Sequence, residues 1–183
     1  MGYDVMPTSL PEVLLLRPKI FRDHRGFFYE SFNAREFNVA TSRECTFVQD
    51  NHSHSIHGVL RGLHYQVRHP QGKLVRVIRG EVFDVAIDLR RHSPNFGKWT
   101  GVTLSADNNL QIWVPEGFAH GFQVTSESAE VIYKVTDFWH PEYERTLLWS
   151  DPDVGVQWPL STQPLLAAKD ASGQMLGEVE PFD

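Results

Sequence analysis

Nine histidines in 183 residues give this chain many groups that can hold a metal ion or move a proton. Two segments carry parts of a paired metal-ligand pattern. Pro115-Glu116-Gly117-Phe118-Ala119-His120 has the form Pro-x-Gly-x-x-His. Its companion would be a Gly, five residues, His-x-His and a Glu shortly after. Gly58 and His64 keep the start of that companion, but Gln66 stands at the second His, and Pro70-Gln71-Gly72-Lys73 fills the region of the Glu. A divalent ion needs several imidazole or anionic donors, and an ammonium among them repels it. The expectation is chemistry without a metal or other cofactor. His64 lies in the strand-like stretch Gly58 to Gln66, and strand alternation puts Gln66 on its face. That face is polar and is expected to line a cavity. On the residues alone, His64 reads either as a proton-transfer group or as a satisfied structural imidazole. His52, His54 and His57, flanked by Ser53, Ser55 and Gly58, read as a solvated loop, and His24, His69, His92 and His140 as solvated side chains.

The elements that must position these groups are short strands between turn signals. Segment 81–89 alternates, with Phe83, Val85, Ile87 and Leu89 on one face and Asp84 and Asp88 on the other. Segment 129–136 sets Val131, Tyr133 and Val135 against Glu130, Ile132 and Lys134. Further strands are predicted at 12–16, 27–32, 46–51, 73–79, 100–104, 111–114 and 120–125. Turn chemistry separates them at His24-Arg25-Gly26, Arg79-Gly80, Ser93-Pro94-Asn95, Asp107-Asn108-Asn109 and Pro115-Glu116-Gly117. Helical signal is confined to about 33–39 and 164–171. Many short strands at this spacing predict an all-β jelly-roll barrel with a few short helices, whose mouth gathers side chains from several strands. An open strand edge near the N-terminus invites pairing with a second subunit.

Length and the lack of repeats or linkers predict one domain over residues 1–183. Lys and Arg number 17 against 23 Asp and Glu, a formal charge of -6. No long basic stripe offsets that balance, so nucleic acid is not an expected partner. The single Cys45 excludes an internal disulfide and reads as a packed residue. The longest apolar run near the N-terminus, Val13 to Leu16, is too short to cross a membrane, and no signal-peptide pattern precedes it. A cytoplasmic protein is the expectation.

Several segments in order resemble one family. They are Phe21 to Glu30, Phe47 to Ser53, Leu60 to Gln66, Gln71 to Arg76, Gly80 to Asp88, Pro115 to Phe122, Tyr133-Lys134 and Ala168-Lys169-Asp170. Together they resemble the dTDP-4-dehydrorhamnose 3,5-epimerases. That resemblance implies a cupin-type jelly roll, no metal, and a homodimer. It implies His64 as general base, Asp170 as the carboxylate partner of that His, and Tyr133 as general acid across the sugar. Lys73 and Arg61 correspond to cations near the keto oxygen. Arg25, Glu30, Gln49, Asn51, His120, Glu144 and Lys169 correspond to substrate-binding positions, and Phe21, Phe28 and Trp139 to aromatic contacts with the nucleotide. Taken singly, each has a plainer reading: Tyr133 as a barrel-lining aromatic, Lys73 and Arg61 as surface charges, Asp170 as a turn residue.

The implied substrate is a dTDP-linked 4-keto-6-deoxyhexose, whose C3 and C5 both flank the ketone and are acidified by it. One base can serve both centres if the sugar shifts slightly between steps. The diphosphate would account for arginines such as Arg25 and Arg61 in an acidic protein. Rival readings are an epimerase acting at C5 alone or a related deoxysugar isomerase, a metal-dependent cupin oxygenase using His64 and His120, and a non-catalytic sugar-binding barrel.

Overall fold

Alternating apolar and polar residues form antiparallel strands that bury one face against a second sheet. The structure is a computed structural model that describes residues 2–159 and 162–183. The strands are β1 (Tyr3–Pro7), β2 (Leu14–Pro18), β3 (Phe21–Asp23), β4 (Gly26–Phe28), β5 (Gln49–Ile56), β6 (Leu60–Gln66) and β7 (Lys73–Arg79). They continue with β8 (Glu81–Asp88), β9 (Trp99–Ser105), β10 (Gln111–Val114), β11 (Phe118–Val124), β12 (Ser128–Val135) and β13 (Glu144–Thr146). Among the described residues, two short α-helices, α1 (Ala34–Thr41) and α2 (Ala168–Ala171), and a 3-10 turn at Pro141–Tyr143 complete the set. A six-stranded sheet runs β1-β2-β10-β7-β12-β5, and a five-stranded sheet runs β13-β6-β11-β8-β9. They face each other as a jelly roll, and β3 and β4 form a separate hairpin.

Val75, Val77 and Val131 from the first sheet meet Val82, Ala86, Leu104, Phe118 and Phe122 from the second, giving an apolar floor between them. Strand β8 is buried on both sides, because Val85 and Ile87 point outward under Trp158, Leu176, Val179 and Phe182 of the C-terminal segment. Its acidic face, Asp84 and Asp88, therefore turns inward, and both residues are fully buried. Buried carboxylates need partners. Asp88 receives Arg90 at 2.6 Å, and Asp84 receives His120.

Helix α1 begins where the Asn33 side chain accepts the amides of Arg35 and Glu36, an N-cap that satisfies two orphan donors. Phe37 then packs edge-on to Trp113 and Phe47, with ring centroids 5.1 and 5.2 Å apart, and covers the outer face of the six-stranded sheet. Cys45 is part of this packing, and burial raises its thiol pKa. Strands β6 and β11 cross at two glycines. A Cβ on Gly121 would lie 2.5 Å from the Arg61 carbonyl oxygen, and one on Gly62 would lie 2.6 Å from the Gly121 Cα. The register slips between His120 and Phe122 at this contact. Among the described residues, no helix is long and apolar enough to cross a membrane.

Two expectations need correction. The His-rich segment is not a loop: His52 and His54 sit on the outward face of β5, an edge strand paired over its whole length with β12. The strand expected at 27–32 ends at Phe28, because the chain turns into the α1 cap.

Candidate active site

Above the apolar floor, the two sheets diverge around an open cavity of about 410 Å³, most of whose lining residues have polar or charged side chains. Strand β5 turns Gln49, Asn51 and Ser53 toward it, at alternate positions. Its neighbour β12 contributes Tyr133, directly opposite Asn51 in the register. From the facing sheet, His64 of β6 and His120 of β11 are cross-strand neighbours, and Glu144 of β13 lies opposite Gln66. Helix α2 closes one side with Lys169 and Asp170, and Trp139 stands on the rim.

A close contact in the cavity joins His64 Nε2 and Asp170 Oδ1, at 2.6 Å. The His64 side chain is 23% exposed and that of Asp170 only 3%, so the imidazole is reachable while its carboxylate is sealed from water. An ionised carboxylate there makes Nε2 the donor and leaves Nδ1 with the basic lone pair, a tautomer assigned from its partner. His120 Nε2 makes a similar bond to both Asp84 oxygens, at 2.9 and 3.0 Å, but this pair is almost wholly buried.

Lys73 reaches across from β7 to donate to the His64 carbonyl at 3.1 Å. Burial pulls its pKa down from 10.5 to about 8; Glu144 and Asp84 oppose that fall, while Lys169 adds to it. The ammonium still predominates near neutral pH. Burial pushes the Tyr133 phenol pKa upward, Glu144 adds to this and Arg61 opposes it, so the phenol keeps its proton. Arg61 is fixed by Nε donation to Ser55 Oγ at 2.9 Å, and Lys169 pairs with Glu144 at 2.9 Å. Trp139 is tied at its backbone, whose amide donates to Gln49 Oε1 at 3.2 Å, while the residue as a whole is 55% exposed.

The cavity thus gathers His64, Asp170, Tyr133, Lys73, Arg61, Gln49, Asn51, His120, Glu144, Lys169 and Trp139. It does not gather Phe21, Arg25, Phe28 or Glu30 of the same chain. The first three lie on the β3–β4 hairpin, whose residues are all exposed, and Arg25 is paired there with Asp23. Glu30 accepts from Asn33 Nδ2 at 3.3 Å, beside Tyr3. Sequence reasoning did not assign Ser53, Gln71, Phe122 or the His120 partner Asp84 to the site. Ser53 was signalled by its alternation with Gln49 and Asn51, and Asp84 by its place with Asp88 among the apolar residues of β8.

The cupin-like positions are filled by other work. Gln66 donates to the carbonyls of His69 and Phe138 at 2.6 and 3.2 Å and accepts from the His140 amide at 2.8 Å, so its amide holds the rim segment. The family model for dTDP-4-dehydrorhamnose 3,5-epimerase matches residues 7–178. The chain belongs to this family. The family's enzyme from Pseudomonas aeruginosa is 56% identical over 174 residues, covering 95% of this chain and 96% of that protein. A crystal structure of the dTDP-6-deoxy-D-glucose-3,5-epimerase from Legionella pneumophila, in complex with dTDP-4-keto-L-rhamnose, superposes with a TM-score of 0.96 at 49% identity. It covers 98% of this chain and 95% of its own. A 3′-monoepimerase from Streptomyces bikiniensis, bound to dTDP-quinovose, is more distant, with a TM-score of 0.88, 31% identity, and coverage of 97% and 88%. The jelly roll is accordingly of the cupin type found in these epimerases.

Proposed function

We propose that this protein converts dTDP-4-dehydro-6-deoxy-D-glucose to dTDP-4-dehydro-L-rhamnose by inverting C3 and C5, without a metal or cofactor. The observation that carries the reading is the accessible His64 on a buried Asp170, in the same cavity as a protonated Tyr133 and a buried Lys73. In this reading His64 Nδ1 takes the proton from the carbon next to the ketone, and the electron pair moves into an enolate at the C4 oxygen. Lys73, with Arg61, holds that oxygen, a contribution of about 3 kcal/mol for one placed donor. Tyr133 then gives its proton to the opposite face of the ring, and the inverted ketone re-forms. Asp170 stabilises the imidazolium while it exists. Gln49, Asn51, His120, Glu144 and Lys169 bind the sugar and diphosphate, and Trp139 stacks on the base.

The double inversion is favoured over single inversion by the relatives named as 3,5-epimerases. A homodimer is part of the proposal. Phe21, Phe27 and Phe28 are 44, 57 and 64% exposed on one hairpin, an apolar patch that a second copy would cover. There Phe21, Arg25, Phe28 and Glu30 would complete the nucleotide end of the second copy's cavity. The test is incubation with the 4-keto substrate in deuterated water, followed by NMR of the product. Deuterium at both C3 and C5 with both centres inverted is expected; label at one centre alone would reassign the protein to single epimerisation.

A further inference from the structure

Beyond the cavity, the turn after β6 and the segment after β12 bring two imidazoles and a carboxylate together. His69, Asp137 and His140 each offer one donor atom, and these atoms all lie within 4.8 Å of one another. His69 Nδ1 stands 3.3 Å from Asp137 Oδ2, close to the spacing of two donors that share one zinc ion at about 2.0–2.2 Å. Glu142 Oε1 stands 3.7 Å from His140 Nδ1, outside the three-donor group. The backbone beneath is already organised. Gln66, itself 4% exposed, binds the main chain of His69, Phe138 and His140, and Gln71 Nε2 donates to the Asp137 carbonyl at 2.9 Å. The donor side chains of His69, Asp137 and His140 remain 51, 35 and 32% exposed, so an ion can reach them.

We propose that His69, Asp137 and His140 form a site for a divalent ion of the zinc class. Two imidazoles with a carboxylate suit zinc, nickel or copper, whereas magnesium and calcium take oxygen donors. The site is separate from the cavity histidines, whose Nε2 atoms are engaged by Asp170 and Asp84. The His69 and His140 rings stack at 4.3 Å with planes 21° apart. Near-parallel rings do not aim both lone pairs at one point, so binding must swing at least one ring. Arg68, the neighbouring cation, lies over the Tyr143 ring at 5.6 Å. A bound ion would cross-link two rim segments whose other members, Gln71 and Trp139, line the cavity.

The test is calorimetric titration of metal-free protein with zinc chloride, using the wild type, His69→Ala, His140→Ala and a His52→Ala/His54→Ala control. One zinc per chain is expected, with affinity about tenfold or more weaker in His69→Ala and His140→Ala and unchanged in the control. Equal affinity in His69→Ala, loss confined to the control, or no saturable binding would overturn the proposal. Imidazole NMR of the wild type reports independently of how the variants fold. The resonances of residues 69 and 140 must move on zinc addition, and unmoved resonances would refute the site.

Discussion

Replacing Asp170 by Asn removes a charge while keeping the side chain's shape, and so isolates what that charge does for His64. In the resting enzyme the neutral imidazole loses little, because an amide oxygen can still accept from Nε2 across the 2.6 Å contact. The difference arises when His64 carries the substrate's proton. With charge centres about 4 Å apart and an effective dielectric of about 20, the imidazolium–carboxylate attraction is about 4 kcal/mol. Asp170 is 3% exposed, so water does little to replace it. A loss of about 4 kcal/mol is nearly a thousandfold in rate, and part returns through the amide dipole, so kcat should fall about 10²–10³-fold. The assay is solvent-deuterium incorporation into the 4-keto sugar followed by NMR, beside a melting curve. KM and the melting temperature should stay close to wild type, because the substituted side chain fills the same volume. A kcat within about threefold of wild type would refute the His64–Asp170 dyad.

Lys73→Met should lose activity about 10²-fold or more yet be more stable. The fall of the Lys73 pKa from 10.5 to about 8 corresponds to about 3 kcal/mol of burial penalty, and losing the His64 carbonyl contact returns about 1, leaving roughly 2 kcal/mol of stabilisation at pH 7 by denaturant melts. The folded-state pKa is the lower one, so the unfolded chain binds more protons between about 8 and 10.5 and wild-type stability rises with pH across that window. Activity moves the other way, with kcat/KM of the free enzyme falling as pH passes about 8; a Lys73→Met protein less stable at pH 7 would count against a buried ammonium. Tyr133→Phe should lose inversion by about 10²–10⁴-fold while C–H exchange with solvent survives better, measured by NMR on one sample; equal loss of both would remove Tyr133 as the acid. If the proposed dimer forms through the β3–β4 hairpin, Phe28→Ser with Phe27→Ser should lower the sedimentation coefficient and raise KM; an unchanged sedimentation coefficient would refute that dimer contact.

The barrel was legible where a strand has one apolar face. β12 shows its alternation openly and the structure keeps it, whereas β8 alternates in sequence yet is buried on both faces, with Asp84 and Asp88 turned inward. β5 was not legible beyond Asn51, since His, Ser and Asn have low strand propensity, and pairing with β12 over eight positions overrides it. β1 escaped notice because its five residues are mostly exposed, leaving no buried face to set a period. Of the expected helix at 164–171, residues 168–171 are helical, enough to carry Asp170 to His64 across 106 positions of sequence. Family resemblance, rather than periodicity, linked those two residues. The same resemblance gathered Phe21, Arg25 and Phe28 with the rest. The structure places these three on the exposed β3–β4 hairpin, apart from the cavity of this chain, because a local motif does not encode where a hairpin packs. The bond from His120 to Asp84 and the Gln66 tether join distant strands and loops, so neither leaves a local pattern to read.

The central claim is that one imidazole removes the protons from both carbons beside the ketone. It is tested most directly by His64→Ala in deuterated water with the 4-keto substrate at saturation, after thermal-shift measurements have shown that dTDP still binds. The account predicts no deuterium at C3 or C5 above the rate without enzyme. Enzyme-dependent label at either carbon would contradict it.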